Sequence, residues 1–136
     1  CANTGAQLHL IQPLGFVLDD KRLRRAGLDY HEWVNIRQYG SLDDYLARSR
    51  PKRLFALTTK GTTVYSQIAF QSGDALLFGP ESRGLPADFL AQHPDGLKLY
   101  LPMRQESRSL NLSNTVSIVL YEAWKQLHFN GALLKA

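Results

Sequence analysis

The stretch LYLPMRQESRSLNLSNTVSIVLYEAW, Leu99 to Trp124, decides the fold, because it compresses a strand, a polar loop and a helix start. Leu97 to Leu101 is an apolar run of strand length, and Pro102 stops it by removing a ladder donor. A loop crowded with Ser, Arg and Asn follows. Val116, Val119, Leu120, Ala123, Trp124 and Leu127 then recur at helical spacing, which predicts a helix of roughly four turns starting near Ser113 or Asn114, both good N-caps. A polar loop running from a strand's carboxyl end into a helix N-terminus offers free backbone N–H groups, where open α/β sheets bind ligands. That marks a site without naming its chemistry.

Upstream, Ala75 to Phe78 is a fully apolar strand that breaks into GPESRGLP, and Pro86 is expected to open a helix at its first position. Leu54 to Thr58 (LFALT) is a compact strand followed by a loop in which Thr58, Thr59, Gly61, Thr62 and Thr63 supply hydroxyls and backbone freedom. Gln67 to Phe70 leaves strand and helix readings open. Leu8 to Ile11 and Val34 to Tyr39 read as strands, and Asp19-Asp20 opens a short helix through Arg25 with acids first and bases last. Ser41 with Asp44 forms a capping box for a helix reaching about Ser49, which Pro51 ends. Strand and helix alternate, so the expected fold is α/β: a mainly parallel sheet with helices on both faces. No internal repeat or low-complexity linker divides the chain, and residues 1–136 read as one domain.

At 136 residues and 44% hydrophobic composition, the chain is long enough for a real core. No apolar run reaches spanning length and the start does not resemble a signal peptide, so a soluble, cytoplasmic protein without a membrane partner is expected. The only cysteine, Cys1, has no internal partner, and His9, His31, His93 and His128 lack ligand spacing, so no metal site is expected. A net charge of +4 and a pI near 9.4 suit a polyanionic partner, although charge alone is a weak argument. Half of the 16 basic residues fall in two runs, Lys21-Arg22-Arg24-Arg25 and Arg48-Arg50-Lys52-Arg53. Either run can contact phosphates or form an ordinary solvated helix face. Tyr30, His31 and Trp33 are available to unstacked bases.

Three loops follow predicted strands: TTKGTT after Leu57, GPESRGLP after Phe78, and PMRQESRSLNLSN after Leu101. In a parallel sheet they share one edge. Gly79 and Gly84 let the backbone near a ligand, while Glu81 and Arg83 either bond it or cap the turn. Taken alone, GPESRGLP is a tight loop shaped by Gly and Pro. Neither GxGxxG nor GxxxxGK[ST] occurs, so a conventional dinucleotide or nucleoside-triphosphate site is not supported.

Taken together, LLFGPESRGLP and LPMRQESRSLNLSNTVSIVLYEAW resemble the second and third motifs of the SPOUT RNA methyltransferases. The run DDKRLRRAGLDYHEW extends the resemblance over essentially the whole chain to the small single-domain YibK/TrmL type. The resemblance implies S-adenosylmethionine-dependent methylation of the ribose 2′-hydroxyl at the tRNA wobble position, cytidine or uridine. It also implies a trefoil knot in the carboxyl half, a homodimer, and the tRNA anticodon stem-loop as partner. In the family, a motif of the form NxGxxxR supplies an arginine that helps deprotonate the hydroxyl. Here Asn3-Thr4-Gly5 resembles its beginning, but no arginine stands at Leu8 or Ile11. CANTGA instead reads as the tail of a helix with Gly5 at its C-cap, so an amino-terminally incomplete enzyme, impaired or inactive in methyl transfer, is expected.

Carried over residue by residue, the resemblance assigns the cofactor to Leu57, Gly79, Glu81, Leu101 and Ser109, with Leu57 and Leu101 acting through main-chain groups that leave the ladder. Arg108, Asn111 and Tyr121 are the candidates for the catalytic neighbourhood, and Lys21, Arg22, Arg24 and Arg25 for RNA contact. Each has an ordinary reading too: core packing for a leucine, a cap or turn for Ser109 and Asn111, an interface for Tyr121. Val116 to Leu127 carries more apolar surface than a small chain readily covers, which makes Tyr121 and Trp124 expected dimer anchors. The alternatives are a non-catalytic RNA-binding dimer, a structural dimerisation domain, and a related methyltransferase acting on another RNA such as rRNA.

Overall fold

The computed structural model describes residues 1–14, 20–25, 27, 35–107 and 109–135, with the side chains of 20, 22 and 23 left aside. It divides into two compact units, Cys1–Arg50 and Pro51–Ala136.

In the first unit, a 3-10 turn over Ala2–Thr4 ends at Gly5, whose φ of 77° is the left-handed cap expected of it. β1 (His9–Ile11) pairs in parallel with β2 (Arg37–Tyr39), and α1 (Asp20–Arg25) falls between them in sequence. Val34, the expected start of β2, and Asp19 lie outside the described residues. α2 (Leu42–Ser49) carries the expected box: Ser41 Oγ accepts from the Asp44 N–H at 3.0 Å, and the Asp44 carboxylate reaches back to the Gly40 N–H at 3.2 Å. Tyr39 and Tyr45 form the buried centre against His9. The Tyr39 hydroxyl bonds His9 Nδ1 at 2.9 Å and Ser49 Oγ at 3.1 Å. Burial, and then the Arg37 charge, lower the His9 pKa from its ordinary value. Arg48 lies 4.6 Å over the Tyr39 ring and pairs with Asp44, an ordinary use of a helix-face cation.

The second unit holds a four-stranded sheet in the order β4-β6-β3-β5, from β3 (Leu54–Leu57), β4 (Thr63–Val64), β5 (Ala75–Phe78) and β6 (Lys98–Tyr100). Every pairing is parallel, as the alternation predicts, with Leu57 opposite Phe78 on one side and Leu99 on the other. β4 is the strand that the sequence reading leaves inside a loop; two β-branched residues suffice for it because β6 offers an edge. Of the segment Gln67 to Phe70, left open between strand and helix, only Gln67 belongs to an element, as the last residue of a 3-10 turn, Tyr65–Gln67. Pro86 sits one place before its expected position: with ψ at 139° it is the N-cap, and α3 runs Ala87–Gln92.

α4 (Leu112–Gln126) also starts earlier than expected, with Asn111 rather than Ser113 or Asn114 as its N-cap. The reason is local: Asn111 Oδ1 accepts from the Ser113 N–H at 2.9 Å, and an outside carboxylate takes the Leu112 N–H, so two free donors are satisfied from that residue onward. One face of the sheet packs Phe55, Leu57 and Leu99 against Val119 of α4 and Phe70, with Ala123 one helical turn beyond Val119. Gln126 then fixes the helix end: it accepts from the Phe70 N–H at 2.8 Å and donates to the Ile68 carbonyl at 2.9 Å. Leu54, Ala56 and Leu77 alternate to the other face and are buried as well, the pattern of a doubly covered parallel sheet. Arg53 ties the amino ends of β3 and β5 through Asp74 at 2.8 Å and the Ala69 carbonyl at 2.9 Å, and the Asp74 hydrogen bond raises its pKa. This partner explains one member of the second basic run without RNA.

Candidate functional site

Because β5, β3 and β6 are adjacent and parallel, their carboxyl ends bring three loops to one edge, with the end of β3 in the middle. The first loop is tightly held. Thr58 N–H donates to the Leu99 carbonyl at 2.9 Å and Thr62 N–H to the Lys98 carbonyl at 3.2 Å, so residues 58–62 lie against β6. A Cβ on Gly61 would stand 2.6 Å from the Leu99 carbonyl carbon, which leaves glycine as the residue that fits. Two threonine hydroxyls expected for a ligand are used within the protein: Thr58 Oγ1 accepts from Lys60 N–H, and Thr62 Oγ1 donates to the Asp95 carbonyl.

The second loop, 79–86, folds onto itself. The Pro80 carbonyl accepts from Gly84 N–H at 2.8 Å and Arg83 N–H at 3.3 Å, and Gly84 takes a φ of 69°. A Cβ on Gly79 would meet the Gly84 carbonyl carbon at 2.3 Å and the Leu85 nitrogen at 2.4 Å. The room that Gly79 makes is therefore filled by the loop's own closing residues. Glu81, expected either to touch a ligand or to cap, accepts from the Leu112 N–H at 3.0 Å and joins this loop to α4. Arg83 is exposed.

The third loop leaves Met103, Ser109 and Leu110 exposed, and Asn111 is committed to capping α4. Arg108 lies outside the described residues, as do Tyr30, His31 and Trp33. Gly79 directly follows β5 and Leu101 directly follows β6, so both stand where the chain leaves the strands at this edge. Main-chain groups at a sheet's carboxyl edge suit the edge of a base. Leu57 is the last residue of β3, as expected; it stands opposite Phe78 and Leu99 and its side chain is buried in the core.

Tyr121 is 46% exposed and packs edge-on against Trp124, whose indole donates to the Asn130 carbonyl at 2.9 Å. Ten residues of helix separate it from Asn111, about 15 Å along the axis, so it does not join the loop cluster within this chain. Lys21, Arg24 and Arg25 stand exposed on α1 in the first unit, whereas nothing is described of the Arg22 side chain. Among the described residues no His, Cys, Asp or Glu cluster is arranged for a metal ion, and no helix is long and apolar enough to cross a membrane.

Comparison with known proteins agrees with this geometry. Residues 1–121 match the model of the SpoU rRNA Methylase family. A Yersinia pestis protein named tRNA (cytidine(34)-2'-O)-methyltransferase is 58% identical over 140 residues, covering 99% of this chain and 86% of its own. A Bacillus anthracis structure described as a putative RNA methyltransferase superposes with a TM-score of 0.89 at 40% identity, covering 100% of this chain and 87% of that one. Another structure, described as giving insights into the 2-OH methylation of C/U34 on tRNA, superposes with a TM-score of 0.78 at 47% identity, over 89% of this chain and 78% of that one. With three parallel strand ends converging on one loop cluster and a family model spanning nearly all of both units, the chain belongs to the SpoU methylase family.

Proposed function

We propose that this protein transfers the methyl group of S-adenosylmethionine to the ribose 2′-hydroxyl of nucleotide 34 in tRNA, cytidine or modified uridine. The observation that carries the reading is the 58% identity, over 99% of the chain, to a relative named for that reaction. The edge of the sheet fits such a cofactor: Gly79 and Leu101 stand just past the ends of β5 and β6, where main-chain groups can meet an adenine edge, and Ser109 is exposed in the third loop. When bound, the cofactor supplies an electrophilic methyl group. The protein's part is to align the ribose oxygen with it and to receive or stabilise the hydroxyl proton, and much of the rate comes from that alignment. Arg108 is the candidate for the second task, and Asn111, by capping α4, fixes the end of the loop that carries Ser109 and Arg108. Lys21, Arg22, Arg24 and Arg25 serve the phosphates of the anticodon stem-loop.

The two units act as one methyltransferase domain with a knotted carboxyl half, and the working form is a homodimer in the cytoplasm. Support for the dimer comes from α4, which exposes Ile118 and Tyr121, while Leu133 and Leu134 beyond it are 97% and 68% exposed. Tyr121 then serves the interface rather than the reacting atoms. The test is mass spectrometry of tRNA and rRNA after incubation with protein and cofactor. A ribose methyl on nucleotide 34 is expected; methylation of rRNA alone overturns the reading.

A further inference from the structure

We propose that Glu81 is a positioning residue whose carboxylate straps loop 79–86 to the first turn of α4, so that the loops flanking the end of β3 are set before the cofactor arrives. The proposal rests on the reading of this edge as the cofactor site. β5 and β6 do not pair; β3 lies between them, so their ends stand about 10 Å apart at ordinary strand spacing. Loop 79–86 leaves one of these strands, and loop 101–111 leads from the other into α4. The hydrogen bond from Leu112 N–H to Glu81 Oε1, at 3.0 Å, joins these two loops directly.

Each end of the bond is prepared for it. Glu81 follows Pro80, whose carbonyl anchors Gly84 and Arg83, and Gly79 is locked against residues 84 and 85, so the backbone that carries the carboxylate is fixed. At the other end, Leu112 is the first residue of the helix, and its N–H has no intrahelical acceptor. Asn111 spends its side chain on Ser113 and leaves the Leu112 N–H to Glu81. A carboxylate is the favoured partner there, because it meets both a free donor and the positive end of the helix dipole. Ser109 and Gly79 lie on the two segments that the bond joins. Losing it leaves both segments intact and their mutual placement undefined.

The variants are Glu81→Ala and Glu81→Gln, with three readouts: amide exchange at Leu112, calorimetric affinity for S-adenosylmethionine and its demethylated product, and the pH profile of kcat. Glu81→Ala should speed exchange at Leu112 while the core amides of β3 keep their protection, and should weaken cofactor binding about tenfold. Glu81→Gln retains an acceptor oxygen and should recover most of the affinity. The pH profile should be the same in all three proteins, since the carboxylate acts through a main-chain amide. Unchanged exchange at Leu112, or unchanged affinity in Glu81→Ala, overturns the proposal. Equal loss in both variants with an altered pH profile also overturns it, by showing that the charge meets the reactants directly. Failure of the unaltered protein to bind the cofactor instead sinks the cofactor reading, and the exchange data then judge the strap alone.

Discussion

Gly79→Ala is the substitution whose outcome separates two accounts of the second loop. If the glycine keeps space for a ligand, a methyl group there should cost binding and leave stability alone. The geometry argues otherwise. The added carbon would lie 2.3 Å from the Gly84 carbonyl carbon and 2.4 Å from the Leu85 nitrogen, both backbone atoms in a loop closed by two hydrogen bonds to Pro80. Reaching ordinary contact requires a backbone shift of about 1 Å, and overpacking of this kind costs about 1–3 kcal/mol. The same shift moves the Gly79 main-chain groups and the Glu81 carboxylate, and displacement of about 1 Å near a reacting centre can cost on the order of a hundredfold in rate. Urea unfolding should therefore show a lowered midpoint with an unchanged slope, and calorimetry should show weakened cofactor binding. Full stability with lost binding would refute the loop-closure reasoning in favour of ligand space. Full stability with full binding would show that the close approach of residues 79 and 84 does not exist in solution.

Other substitutions test the remaining elements. Phe55→Ala removes a ring that is 1% exposed and edge-on to Phe70, so urea titration should report a loss of about 3–5 kcal/mol. Burial, and then the Arg37 charge, lower the His9 pKa in the folded protein, so the unfolded chain binds its proton more readily; stability should fall as pH drops from the ordinary value of 6.5 toward the lowered one. Unfolding midpoints measured at a series of pH values should show this dependence, and it should shrink in Arg37→Gln. Tyr121→Asp, on the exposed face of α4, should convert the proposed dimer to a monomer in light scattering without lowering the helical circular dichroism.

The sheet was legible because parallel strands buried on both faces advertise themselves. LFAL and ALLF are unbroken apolar runs, and all four LFAL residues are buried. The capping box at Ser41 and Asp44 was equally plain, since it is encoded by residues in hydrogen-bond reach along the chain. What escaped was set by distant partners. Thr63 and Val64 form a strand only because β6, more than thirty residues on, offers its edge. The start of α4 moved to Leu112 because Glu81 supplies an acceptor from another loop. Gly61 looked like a source of freedom and is instead a contact point against the Leu99 backbone, a role invisible until the sheet order is known. Motif and spacing place three loops at one sheet edge, which the strand order bears out, but the need for glycine at 79 comes from the loop's own closure against residues 84 and 85.

Each of the three loops is held by a different set of hydrogen bonds, and this bears on how methyl transfer is organised. The first is fastened to the Leu99 and Lys98 carbonyls, the second to its own Pro80 carbonyl, and the junction of the third with α4 to Glu81. None of these bonds uses a residue that must also hold a reactant, so the edge is ordered by folding and little ordering is left for binding. A reaction driven by alignment gains from that arrangement, because near-attack geometry is lost by small displacements. The contrast lies within the third loop. Between Pro102 and Asn111 the described main-chain tie is a single turn, Ser107 N–H to the Arg104 carbonyl at 3.1 Å, and Met103 and Leu110 remain exposed apolar groups. On the function proposed above, substitutions in 102–107 should alter nucleotide affinity more than cofactor affinity, which calorimetry with each ligand separately would show.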